Sequence, residues 1–134
     1  QAADAWQAQA LTACARYACD PDLLIAIGTH EPDARKNQSL GDGGLSFGRW
    51  QMKATTAARF VLGTTDTRRM TAEQYLIVAR MLTDDLMAAE LAARELSRCS
   101  VRNRMLEYKI RCWNNDSRYV AKVMAIYRVR KGRP

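Results

Sequence analysis

A chain of 134 residues, 48% of them apolar and with only seven glycines and three prolines, has the material for one packed domain rather than a disordered or linker-rich chain. Its formal net charge of +7 suits nucleic acid, an anionic membrane surface or an acidic wall polymer, and equally a plain solvated surface. A single histidine excludes a His-built metal cluster, and no apolar run reaches the ~18 residues that a membrane span needs.

The periodicity is helical nearly throughout. Residues 2–18 are alanine-rich and place Trp6, Ala10, Ala13 and Tyr17 on one stripe. Asp20-Pro21 reads as an N-cap followed by proline in the first turn. The helix that follows, Asp22 to about His30, is apolar on every side through Leu23-Leu24-Ile25-Ala26-Ile27-Gly28, the pattern of a helix buried in the middle of a fold. From Glu31 to Lys53 the periodicity is lost among Pro32, Asn37, Gly41, Gly43, Gly44 and Gly48. A long irregular loop in a compact domain is usually functional.

A helix resumes near Ala54 and stops near Gly63. Thr71 with Gln74 is a capping-box pattern. It opens a long helix to about Ser97 with Leu82, Leu86, Ala89, Ala93 and Leu96 on its core face. Another helix spans Val101 to Trp113. Asn114-Asn115-Asp116-Ser117 breaks it, with Asp116 or Ser117 as the next cap, and a last helix carries Val120, Val123, Met124 and Tyr127 at helical spacing. With no repeats and no composition shift, residues 1–134 form one all-α domain of about six helices.

The chain begins at Gln1 rather than Met, as in a mature form whose leader has been removed; a chain cut at an arbitrary point begins the same way. Cys14, Cys19, Cys99 and Cys112 are an even set compatible with two disulfides in an oxidising compartment. Three pairings are open, free buried thiols are the alternative, and the local pairing 14–19 with 99–112 is the simplest. On one straight helix, positions 99 and 112 lie ~20 Å apart, so that pairing requires a turn after Cys99.

Two interruptions are candidates for chemistry. The first is Glu31, at the end of the apolar helix in Thr29-His30-Glu31-Pro32. Partial burial raises a carboxyl pKa and suits it to give and retake a proton near neutrality. The plain alternative is a surface glutamate, although its charge opposes the helix dipole. The second is Gly43-Gly44-Leu45-Ser46-Phe47-Gly48-Arg49-Trp50-Gln51-Met52. Here glycines allow close backbone approach and aromatic and amide groups suit a sugar. The plain alternative is a tight turn with Phe47 and Trp50 filling the core.

Together these segments resemble the lytic transglycosylases. Leu23 to Glu31 is similar to the helix that ends in that family's catalytic Glu-Ser. Gly48-Arg49-Trp50-Gln51-Met52 resembles its Gly-Leu-Met-Gln-Ile motif. Cys112-Trp113-Asn114 stands where the family has Ala-Tyr-Asn, and Ser117-Arg118-Tyr119-Val120 resembles the Arg-Tyr-Val segment that opens its last helix. The order is kept over about residues 12–128. The resemblance implies a lysozyme-like helical domain, related to goose-type lysozyme. It implies cleavage of peptidoglycan glycan strands with Glu31 as the single acid and base. Ser46, Gly48, Trp50, Gln51, Trp113, Asn114 and Tyr119 would bind substrate, and no cofactor or metal is required.

The departures are Pro32 for serine, Arg49-Trp50 for Leu-Met, which implies a bulkier and more basic groove wall, and Trp113 for a tyrosine. Tyr108 or Tyr119 would supply the missing hydroxyl, or the role is dispensed with. Asp33 and Asp42 are expected to be solvated loop residues. If either faces the scissile bond, lysozyme-type hydrolysis becomes the alternative; a weakly active peptidoglycan-binding module is another. The expected location is periplasmic or secreted. The expected partners are glycan strands and a cell-envelope secretion or conjugation apparatus, without nucleic acid or stable membrane insertion.

Overall fold

The computed structural model describes residues 2–31, 46–64 and 66–132. Within them seven α-helices are joined by one short 3-10 turn and one small antiparallel hairpin. They are α1 (Ala2–Tyr17), α2 (Pro21–His30), α3 (Ala54–Val61), α4 (Ala72–Thr83), α5 (Asp85–Arg102), α6 (Leu106–Trp113) and α7 (Ser117–Arg130). The chain is all-α, as its periodicity predicts.

The predicted caps explain where several helices begin. The Asp20 side chain accepts from Asp22 N with Pro21 in the first turn of α2. Thr71 and Gln74 close a reciprocal capping box at α4. Asp116 accepts from Arg118 N and Tyr119 N at the head of α7. Those two backbone donors are also what chiefly lowers the pKa of the Asp116 carboxyl.

The long helix predicted from Thr71 to about Ser97 is two helices. Asp84 is extended at φ −88°, ψ 121°, ends α4, and accepts from Met87 N to cap α5. Thr83-Asp84-Asp85 interrupts the helix because an aspartate side chain satisfies orphan amide groups that helix continuation would otherwise have paired. The break also rotates the apolar face. Leu82, Ala89, Ala93 and Leu96 are buried, whereas Leu86 is 53% exposed.

Helix α2 is the central element, packed by α1, α5 and α7. Every side chain from Leu23 to Ile27 is buried, and so is Gly28. A Cβ on Gly28 would lie 2.7 Å from Trp6 Cζ3 and 3.0 Å from Trp50 Nε1, so the absence of a side chain lets both indoles close over the helix. Its C-terminal end is thereby held rigidly.

Both local disulfides form: Cys14–Cys19 and Cys99–Cys112. The second is possible because α5 ends at Arg102 and the chain turns back into α6, which brings the Cα atoms to 5.6 Å. Asn103 Nδ2 donates to Cys99 O and secures that reversal. A crosslink over a loop of this size stabilises by about 3 kcal/mol, mainly by restricting the unfolded chain. Two disulfides suit an oxidising compartment, and no described helix is long and apolar enough to cross a membrane.

Candidate active site

Three stretches far apart in sequence meet at one cleft of about 490 Å³. Glu31 enters from the end of α2, Ser46, Gln51 and Lys53 from the hairpin, and Trp113 and Asn114 from the end of α6. Each position follows from local structure. Glu31 is the C-cap of α2, with φ −93° and ψ 66°, so its side chain leaves from the end of the buried helix.

The hairpin pairs Ser46 with Lys53 and Phe47 with Met52. Its reversal places Gly48 at φ 77° and Gln51 at φ 48°. Gly48 O accepts from both Gln51 N at 3.1 Å and Gln51 Nε2 at 3.0 Å. That pair of bonds holds a non-glycine residue in a left-handed conformation that costs about 1–2 kcal/mol. It also occupies one N–H of the Gln51 amide, leaving Oε1 and the second N–H of that side chain for a ligand.

Asn114 is the C-cap of α6. Its Oδ1 accepts from Asp116 N at 3.0 Å. Asn114 is therefore both a turn residue and a cleft residue, with Nδ2 remaining for the cleft.

Tyr119 is 7% exposed and is not among the residues that line this cleft. Its hydroxyl meets no partner of strict hydrogen-bond geometry. Burial first, then the negative charge of Glu31 and a looser polar contact with its carboxylate, push the phenol well above its usual pKa. Tyr119 thus stays protonated beside Glu31, whereas Tyr108 is half exposed and is not among the cleft residues.

His30 packs edge-to-face on Tyr119 at 4.8 Å. Burial, and next the charge of Lys122, hold its pKa below the ordinary 6.5. The folded chain therefore binds this proton less readily than the unfolded chain, and the stability it contributes is present above pH 6.5 and lost as pH falls through the folded value. Urea unfolding of wild type and His30→Gln across pH 5–8 is expected to show wild type gaining on the variant as pH rises. A constant difference between them would refute this coupling.

Several predicted site residues point elsewhere. Trp50 is 1% exposed and its Nε1 donates to Leu24 O at 2.8 Å. It packs edge-to-face against Trp6 at 5.7 Å. Arg49 lies over the Trp6 ring, 4.3 Å from its centroid. The Arg49-Trp50 pair therefore closes the core over α2 and does not form a basic groove wall. Phe47 is buried too. Gly48 faces the last turn of α4, where a Cβ would strike Leu82 O; what comes close is the protein's own backbone and not a ligand. Pro32, the glycines at 41, 43 and 44, and the carboxylates Asp33 and Asp42 lie outside the described residues.

The cleft also holds Arg59, Glu95 and Arg98, which the sequence reading did not single out. Glu95 is 7% exposed at its side chain. Arg98 Nε donates to one Glu95 oxygen and Arg98 Nη2 to the other, both at 2.8 Å. That hydrogen bonding is the main reason the Arg98 pKa is raised. A signal existed in the sequence: Glu95 is a charge on the apolar stripe of α5, between Leu91 and Leu96, with Arg98 three residues on. Glu95 is a fully paired carboxylate.

Comparisons with family models, with curated proteins and with solved structures found no match.

Proposed function

We propose that this chain is a peptidoglycan-cleaving enzyme of the lytic transglycosylase type, built on a lysozyme-like domain, with Glu31 as its general acid and base. The observation that carries the reading is the convergence on one cleft of Glu31, Gln51, Trp113 and Asn114. These residues come from three of the four sequence segments that resemble the family. A polar cleft bordered by an indole, two carboxamides and a carboxyl group matches a sugar chain, whose faces stack and whose hydroxyls exchange hydrogen bonds.

In this mechanism the Glu31 carboxyl donates its proton to the oxygen linking N-acetylmuramic acid to N-acetylglucosamine. The β-1,4 bond breaks, and the acetamido group of the substrate shares the positive charge at the anomeric carbon. Glu31, now a carboxylate, takes the proton of the muramic 6-hydroxyl while that oxygen closes a 1,6-anhydro ring. No water is consumed, and one group acts twice. Most glycosidases divide these roles between two carboxylates. The pairing of Glu95 with Arg98 supports the single-carboxylate route, because a carboxylate bound at both oxygens is a poor base or nucleophile. Tyr119, held protonated beside Glu31, is a positioning residue for that carboxylate.

The two disulfides suit action in the periplasm or outside the cell. There the chain would meet glycan strands and could serve a secretion or conjugation apparatus. Purified sacculi incubated with the protein are expected to release soluble muropeptides with 1,6-anhydro ends, lighter than hydrolysed ones by about 18 Da, the mass of the water that hydrolysis would have added across the bond. Reducing ends would convert the reading to a lysozyme-type hydrolase. No release at any pH would leave a binding module.

A further inference from the structure

Among the described residues, the same cleft carries more positive charge than its carboxylates balance. Lys53, Arg59 and Arg98 line it against Glu31 and Glu95. Arg98 and Glu95 satisfy one another through two 2.8 Å bonds. Arg59 Nη1 reaches Glu95 Oε1 only at 3.9 Å, and its side chain is 39% exposed. That distance is an ion pair but not a hydrogen bond, so the guanidinium retains its planar fork of N–H donors. Lys53 is exposed on the hairpin strand beside it and forms no ion pair among the described residues. Meanwhile Glu95, buried and anchored by Arg98, fixes where Arg59 sits.

We infer that Arg59 and Lys53 form a carboxylate subsite of the cleft, which selects acidic glycan strands over neutral ones of the same linkage. This inference rests on the glycan-cleaving reading and deepens it. A guanidinium fork matches a carboxylate in two parallel bonds. Lysine adds a mobile point charge at the cleft edge. The partner group is a carboxylate on the lactyl ether of the sugar or on an attached stem peptide. A neutral N-acetylglucosamine oligomer offers neither, and so loses this contact while keeping those to Gln51, Trp113 and Asn114.

Binding is measured by tryptophan fluorescence in a Glu31→Gln background, so that no strand is cut. Four probes are used. Two are a tetrasaccharide of alternating N-acetylglucosamine and N-acetylmuramic acid with free lactyl groups, and the same sugar bearing stem peptides. The others are its amidated, uncharged form and chitotetraose. The charged strands are expected to bind roughly tenfold tighter than the amidated one, with the gap narrowing at high salt. The tighter of the two charged probes identifies which carboxylate is held.

Adding Arg59→Gln should remove most of that gap while chitotetraose affinity moves little, and Arg68→Gln, on the exposed 3-10 turn, should retain the gap. Equal binding of charged and amidated strands would overturn the subsite. So would an Arg59→Gln loss that is the same for chitotetraose, which would mean Arg59 only shapes the cleft. If none of the four probes binds, the glycan reading itself fails and the subsite falls with it; binding without charge preference sinks the subsite alone.

Discussion

Glu31→Gln is expected to lower the release of muropeptides from sacculi by roughly a thousandfold or more, within the range for loss of a general acid–base group. The substitution keeps the side chain's shape and removes the proton that the mechanism transfers twice. Folding should be nearly unaffected, within about 0.5 kcal/mol, because Glu31 is only part-buried at a helix end and a negative charge there opposes the helix dipole. The two readouts separate chemistry from structure. Retained wall-degrading activity in a folded Glu31→Gln protein would refute the assignment, whatever the rest of the cleft does.

Gly48→Ala should be the most damaging single-methyl change in the hairpin. The residue sits at φ 77°, and the added Cβ collides with the backbone carbonyl of Leu82. The left-handed conformation costs about 1–2 kcal/mol for a residue with a side chain. Relieving a collision with helix backbone adds about 1–3 kcal/mol, so urea unfolding is expected to report a loss of about 3 kcal/mol or more. Gly63→Ala is the matched comparison. Its φ is 69° with nothing within 4 Å of the added Cβ, so only the same conformational cost of about 1–2 kcal/mol applies. Equal losses at the two glycines would show that the Leu82 contact is not what requires Gly48. The loss at Gly48 should also loosen Gln51, whose backbone and side chain both bond to the Gly48 carbonyl.

Much of the helical frame was legible because its causes are local. Asp20-Pro21, the Thr71–Gln74 box and Asp116 act within one turn of where they stand, and each works as its residue type implies. The apolar run of α2 announces a buried helix without reference to any partner. Asp84 was missed because the apolar period continues across it, and a helix-breaking cap there competes almost evenly with helix continuation. Once Asp84 caps α5, Leu86 faces solvent, an outcome set by a rotation that no periodicity count contains.

The candidate site divides along the same line. Glu31 stood out because a carboxylate ending an apolar helix is chemically anomalous, and its neighbours Gln51 and Asn114 were named from the order of motifs. Trp50 shows the limit of that approach. Beside glycines and a glutamine it suits a sugar-binding wall; in the folded chain its ring lies over Gly28 and its N–H bonds to Leu24 O. An indole gains about 3–5 kcal/mol relative to alanine by filling a core, and at this place α2 lacks a side chain and offers a carbonyl. That fit depends on residues more than twenty positions away.

The sequence left the cysteine pairing open, and by itself determined the all-α class, most helix starts and a core organised on α2. These follow from periodicity and capping chemistry, which act over a few residues. Only the tertiary structure decided which side chains border the cleft. It turned Trp50, Arg49 and Gly48 inward and set the buried Tyr119 beside Glu31. It also brought Arg59 to the Glu95–Arg98 pair across 36 residues of sequence. Those outcomes depend on how α3, α5 and the hairpin pack around α2, and packing is settled by shape and charge between elements rather than within them.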